Sequence, residues 1–384
     1  MAKADGRQTA LINGRVLLDG AFVTGRAVLV AGRSIAAVVD DADRTVQEAS
    51  AYDLKGQRLL PGFIDLQVNG GGGVLFNEQP TVDGVRAIAA AHRRFGTTAL
   101  LPTLISDDLD VVEQAIAAVR EAIRIGMPGI IGIHLEGPFL NPERKGAHDE
   151  RKLLKLEPRH LDLLTSLDRG HTLVTLAPEM ALAGMVRELA GSGVLVSAGH
   201  TNATYEVLRQ ALSDGVTGIT HLFNAMSPLA SRAPGVVGAA LDDPAVYCGI
   251  IVDGRHVAPA VLRVALRSRP RDRFVLVTDA MPSVGASTKS FMLQGRRITV
   301  RDGVCVDEQG TLSGADLDMA SAVRNTVHML GVPLEDAVRM ASEYPARFLD
   351  RTDLGRISAG ARANFVVCDD DLRVTETWID GQAM

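Results

Sequence analysis

Glu136, His200, His221 and Asp279 are the residues of this chain whose types and placing best suit chemistry. Each closes a short apolar run. Glu136 follows Gly129-Ile130-Ile131-Gly132-Ile133-His134-Leu135, and a Gly-Pro pair then stops the run. His200 follows Val194 to Gly199, His221 follows Thr217 to Thr220, and Asp279 follows Phe274-Val275-Leu276-Val277-Thr278. Any one of them could be a rim residue. Together, two imidazoles and a carboxylate make a shell for a zinc-like cation with one position left for water. A cation held so lowers the pKa of water towards neutrality. A carboxylate beside it, Asp279, can take the proton and return it to a leaving amine. The plainer alternative is that Asp279 only caps the turn into Ala280-Met281-Pro282.

The first apolar run, Gly62-Phe63-Ile64-Asp65-Leu66-Gln67-Val68-Asn69-Gly70, carries Gln67 and Asn69 where a second metal site would want His-x-His. Amides are poor zinc ligands beside imidazole. The run His171 to Pro178 has no lysine that could be carboxylated into a bridging ligand. Both absences favour one ion over two. His134, two residues before Glu136, faces the same way one layer deeper and reads as a structural residue of the interior. His92, His160 and His328 fall on helical stretches and are expected to face solvent or neighbouring helices. His171 starts a strand at the end away from the chemistry. Cys248, Cys305 and Cys368 are far apart and form no CxxC pair, which excludes a cysteine-based zinc site and fits a reduced, cytoplasmic protein.

The elements that must position these residues are strands of four to eight apolar residues. They lie at 63–68, 98–104, 130–135, 172–177, 194–198, 217–221, 247–252 and 274–278, with helices filling most gaps. Thr81 is placed to cap the helix that Gly96 closes, and Thr201 to cap one that ends at Gly215. Strands alternating with helices imply a parallel sheet, and eight units over this length imply a (β/α)₈ TIM-like barrel. In that fold chemistry sits at the C-terminal ends of the strands, where the four residues above fall.

The ends of the chain have a different texture. Leu11 to Gly20 reads as strand, Asn-Gly turn, strand. Residues 27–30 and 34–39 are two more strands, and 364–368 and 374–379 repeat the pattern. The expectation is a small β-sandwich domain built from both termini: residues 1–60 and 346–384 flank a catalytic barrel at 61–345. Residues 290–311 read as small strands inserted after the eighth barrel strand.

Composition agrees with a large globular core: 384 residues, 46% apolar, with only 4% aromatic, so Ala, Val, Leu and Ile must fill it. The net charge of −6 and the lack of any Lys/Arg run argue against nucleic acid as a partner. The first seven residues lack the apolar stretch of a signal peptide, and no run is long enough to span a membrane.

The motifs Gly62 to Gly70, His134-Leu135-Glu136-Gly137-Pro138-Phe139, Ser197 to Thr204, His221-Leu222-Phe223-Asn224-Ala225-Met226, Asp253-Gly254-Arg255-His256 and Thr278-Asp279-Ala280-Met281 keep one order along nearly the whole chain. In combination they resemble the N-acetylglucosamine-6-phosphate deacetylases of the amidohydrolase superfamily. The resemblance implies metal ligation by Glu136, His200 and His221, and general base then acid work by Asp279. His148 matches a family histidine near the scissile acetamide, suited to stabilising an oxyanion. Asn224, Ala225, Arg232 and His256 match positions that bind the sugar phosphate, and Gln67 joins the substrate-binding set. It further implies one divalent ion, with Zn²⁺ the default and Fe²⁺, Co²⁺, Mn²⁺ or Cd²⁺ alternatives. A homodimer in which a neighbour completes the phosphate pocket follows from the same likeness.

The implied reaction is removal of acetate from N-acetylglucosamine 6-phosphate to give glucosamine 6-phosphate. Three rivals stand beside it. One is the same chemistry on another amino sugar phosphate such as N-acetylgalactosamine 6-phosphate. Another is a cyclic-amide hydrolase, which the missing His-x-His and lysine disfavour. The third is a catalytically silent barrel, which the presence of all four key residues disfavours. The loop at 141–150, with Pro142, Gly146 and several charges, reads as a mobile lid.

Overall fold

The structure, a computed structural model, describes residues 8–384. Residues 1–7, where the sequence reading looked for a signal peptide, lie outside the described residues. Among the described residues no helix is long and apolar enough to cross a membrane.

Eight strands form the central sheet: β1 (Phe63–Val68), β2 (Thr97–Ile105), β3 (Gly132–Glu136), β4 (His171–Leu176), β5 (Leu195–Ala198), β6 (Val216–Ile219), β7 (Tyr247–Ile250) and β8 (Phe274–Leu276). They pair in chain order, and every pair is parallel. A parallel bridge between Val68 and Ala280 joins the first strand to the chain just past the last, closing the ring. Every residue of β1, β2 and β3 is buried. Helices cover the outer face and side chains fill the inner one, which is why these strands read as continuous apolar runs. The TIM-like barrel expected from the alternation is the fold observed.

The helix Val82–Arg93 shows how an outer element is specified. The Thr81 hydroxyl accepts from the Gly84 N–H at 3.1 Å. Val85, Ile88, Ala89 and His92 then recur at i, i+3, i+4 and i+7 and are buried against the sheet. His92 therefore does not face solvent or a neighbouring helix: it ends the buried stripe, and its Nε2 bonds the Gly70 carbonyl at 2.9 Å. His160 is also buried, accepting the Glu157 N–H on Nδ1, whereas His328 is exposed. The helix after His200 runs only over Tyr205–Ser213 and is capped by Thr204, whose hydroxyl accepts from Val207 N–H. Thr201 does not cap it, because its hydroxyl donates to Glu179 instead.

Of two further sheets, one draws on both ends of the chain and the other on its beginning alone. In the six-stranded sheet, Arg15–Leu18, Ala21–Val23 and Arg58–Pro61 join Phe365–Cys368, Val374–Ile379 and Gln382–Ala383. The four-stranded sheet contains Thr9–Ile12, Arg26–Ala31, Ser34–Asp40 and Ser50–Asp53. Leu11, Val16, Val28, Leu59, Phe365 and Trp378 share the core between them. Asn13-Gly14 is not a hairpin turn. The strands on either side of it lie in different sheets, so the left-handed Asn13 (φ 56°) carries the chain across the core. After β8, four antiparallel strands (Ser290–Leu293, Arg296–Arg301, Val304–Val306 and Leu312–Ala315) form the insertion, one strand more than the sequence suggested.

Candidate metal centre and its pocket

Glu136 is the last residue of β3, and His200, His221 and Asp279 follow β5, β6 and β8 by two or three residues. His200, His221 and Asp279 all have positive φ (47°, 32° and 51°), and Gly137 (91°) turns the chain after Glu136. Left-handed backbone costs a non-glycine residue on the order of 1 kcal/mol and is usually found where function holds it. Here the reversal breaks each strand abruptly and brings the side chains to one buried point.

At that point His221 Nε2 lies 3.0 Å from Glu136 Oε1 and 3.0 Å from His200 Nε2, and His200 Nε2 lies 3.3 Å from the same Glu136 oxygen. Ligands about 2.0–2.2 Å from a tetrahedral ion would sit roughly 3.3 Å apart. His200 Nδ1 donates to the Arg144 carbonyl at 2.9 Å, so its Nε2 presents a lone pair inward. Lone pairs facing one another at these distances are what a cation brings together, and the three residues fit a divalent ion. Burial raises the Glu136 carboxyl's pKa, but the nearness of His200 and His221 outweighs that and holds it well below the usual range. Among the described residues, Glu136, His148 and His200 also bring one ligand atom each within 4.8 Å of the others.

Asp279 stands beside this set, joined to it through amides. Gln67 Nε2 donates to Glu136 Oε1 and to Asp279 Oδ1, both at 3.1 Å, and Asn69 Nδ2 donates to Asp279 Oδ1 at 2.6 Å. Burial, and then the negative charge of Glu136, push the Asp279 carboxyl up to about 6. Gln67 thus spends its amide on two carboxylates and does not line the cavity above them, whereas Asn69 does. His134 sits below, with Nε2 2.7 Å from Thr175 Oγ1 in the barrel interior.

The cavity over the cluster measures about 390 Å³ and is lined by Glu136, His148, His200, His221, Asn224, Ala225, His256 and Asp279, among others. The insertion roofs it with Leu293 and Thr311 to Gly314. His148 is buried, its pKa pushed down to about 3 by burial first and then by His200. Its Nδ1 lies 2.8 Å from Ser106 Oγ and accepts the Ser106 N–H at 3.2 Å. His256 is held through Nδ1 by Asp253 Oδ2 at 2.6 Å. Arg232 lies apart from these residues, exposed on the surface loop and outside the lining.

The loop at 141–150, read as a lid, is held against the barrel mouth at several points. Asn141 N–H donates to the His200 carbonyl, Arg144 Nε donates to Asn202, and the Arg296 guanidinium reaches the Ala147 carbonyl. Three contributors to the site were given no role by the sequence reading. Ser106 and Asp253 act through hydrogen bonds to histidines, for which only the i, i+3 spacing of Asp253 and His256 gave a hint. The roof segment 311–314 lacks any apolar alternation.

A model of the amidohydrolase family matches residues 58–384. N-acetylgalactosamine-6-phosphate deacetylase of Shewanella sp. (strain ANA-3) is 45% identical over 334 residues, covering 87% of this chain and 84% of that one. N-acetylglucosamine-6-phosphate deacetylase of Haemophilus influenzae is 36% identical over 377 residues, covering 97% and 98%. The solved structure of N-acetylglucosamine-6-phosphate deacetylase from Pasteurella multocida superposes with a TM-score of 0.94 at 37% identity, over 98% of this chain and 99% of that one. The barrel, the convergent donor set and these likenesses agree: this chain belongs to the amidohydrolase family, on the branch of the N-acetylated amino sugar phosphate deacetylases.

Proposed function

We propose that this enzyme hydrolyses the acetamide of N-acetylglucosamine 6-phosphate, giving glucosamine 6-phosphate and acetate. The observation that carries the reading is the meeting of Glu136, His200 and His221 within 3.0–3.3 Å at the barrel mouth, with Asp279 alongside. These three residues would hold one divalent ion, with zinc the first choice for a His₂-carboxylate set and iron, cobalt, manganese or cadmium able to replace it. The ion supplies Lewis acidity and a lowered pKa for water. Water adds to the acetyl carbon as Asp279 takes its proton. The C–N bond then breaks, and Asp279 returns the proton to the leaving nitrogen. His148 stabilises charge on the acyl oxygen. Asn224, Ala225 and His256 line the same cavity and would take the sugar phosphate.

Gln67 keeps its place in the substrate-facing set only through Asp279, whose oxygen it fixes. Its amide also occupies the ground between two carboxylates that a second ion would need, which supports a single-ion site. Arg232, exposed and outside the cavity lining, is assigned in this reading to the phosphate of a neighbouring subunit. An apolar patch supports such a homodimer: Leu229, Val261 and Val264 are 58%, 40% and 65% exposed beside Phe223, next to Asn224 and Ala225. The domain division at about residues 61 and 346 and a cytoplasmic location remain part of this reading.

One observation favours a second substrate. The relative at 45% identity is named for N-acetylgalactosamine 6-phosphate, which differs by the configuration of one hydroxyl. The test measures acetate release from both phosphorylated sugars and from unphosphorylated N-acetylglucosamine, before and after chelation. Chelator-sensitive release from N-acetylglucosamine 6-phosphate, restored by added zinc, is expected. Faster release from the galactosamine isomer would transfer the assignment to it, and no release by ion-loaded protein would sink the deacetylase reading.

A further inference from the structure

His148 and His200 flank the same point, with ring centroids 4.5 Å apart, yet their Nδ1 atoms meet opposite partners. His200 Nδ1 faces the Arg144 carbonyl, which can only accept. That nitrogen must carry the proton, and Nε2 is left with a lone pair. His148 Nδ1 faces the backbone N–H of Ser106, which can only donate. That nitrogen must be unprotonated, and in a neutral ring the proton then sits on Nε2. The Ser106 hydroxyl, 2.8 Å from the same nitrogen, can turn its own hydrogen to that lone pair, so this contact agrees with the backbone one.

From this geometry we infer that Ser106, one residue past the end of β2, is a positioning residue that fixes His148 as the neutral Nε2–H tautomer, making it a hydrogen-bond donor to the reacting acyl oxygen and excluding it from the ion's ligand shell. Proximity alone would group His148 with Glu136 and His200 as ligands. The tautomer separates them, since a ring whose Nδ1 is occupied and whose Nε2 bears hydrogen has no lone pair to give. The arrangement is braced from above. Gln294 Nε2 donates to the Ser106 carbonyl at 2.9 Å, and Arg296 holds the Ala147 carbonyl, so the insertion fixes both sides of the contact. The acyl oxygen as the recipient rests on the proposed deacetylation, but the tautomer does not.

The test is long-range ¹H–¹⁵N correlation on full-length, zinc-loaded protein with ¹⁵N-labelled histidine, with the His148 signals identified by their loss in His148→Gln. A protonated Nε2 and a bare, hydrogen-bonded Nδ1 are expected. A proton on Nδ1, or on both nitrogens, overturns the inference. Zinc affinity, measured by competition with a chelator, gives a second readout. His148→Gln should change it by less than the about 10-fold that loss of a supporting group costs a metal site, with His200→Gln as the control that does lose zinc. A loss matching His200→Gln would make His148 a ligand and overturn the exclusion. Failure to release acetate with the expected tautomer in place would remove the deacetylase reading and leave the role of Ser106 standing.

Discussion

Asp279 has the strongest claim to proton transfer, because its carboxylate is buried, sits beside the donor cluster and has one oxygen already fixed by two amides. Asp279→Asn keeps the shape and most hydrogen bonds but cannot accept a proton. It should lower kcat by about 10²–10⁴-fold with little change in KM, and steady-state kinetics with near-normal kcat would remove Asp279 from the mechanism. Gln67 should matter through geometry alone. Gln67→Ala leaves Glu136 and Asp279 without their shared donor, and kcat should drop by about 10–100-fold, the usual loss for a residue that orients a metal site. An unchanged kcat would show that Asn69 suffices to fix Asp279. The residue types at the four strand ends were legible in the sequence because each interrupts an apolar run. Their left-handed backbone was not, since nothing marks His200, His221 or Asp279 as differing from an ordinary strand residue.

At the scale of elements, the seam between β1 and the end of β8 depends on one buried acid. Asp65 accepts hydrogen bonds from the Thr278 hydroxyl and N–H and from the Gln67 N–H. Burial nevertheless outweighs these and raises its pKa to about 7. The folded state therefore holds this proton more tightly than the unfolded chain does. The stabilisation is complete below the ordinary aspartate range, near pH 4, and is lost as pH rises through about 7. Thermal melts between pH 4 and 8 should show this fall, and Asp65→Asn, which cannot ionise, should flatten it. An equal slope in both proteins would place the titration elsewhere. All eight barrel strands were legible to within about three residues, because strands buried on both faces read as unbroken apolar runs. Turn chemistry was less legible. Asn13-Gly14 carries a hairpin signature but serves a crossover, and Thr201 gives way to Thr204 as the cap because Glu179 captures its hydroxyl.

At the scale of the whole molecule, the apolar patch beside Asn224 and Ala225 invites a test of assembly. Val264→Asp places a charge on that patch while leaving the cavity lining untouched. Sedimentation should show a shift towards monomer with activity on the phosphorylated sugar reduced, and an unchanged sedimentation coefficient would move the interface elsewhere. The sheet shared by both ends of the chain has a consequence for how the protein is made. Arg58 and its partner Asp369 are 311 residues apart in sequence, and the strand pairing beside them, Arg58–Pro61 with Phe365–Cys368, spans as far. At about 5–20 residues per second of synthesis, the first strands would leave the ribosome some 15–60 s before their partners exist. During that interval their backbone edges and apolar faces are open to other nascent chains. Premature termination before Phe365 would strand the beginning of the protein as well as its end, so such fragments should be ready substrates for chaperones and proteases.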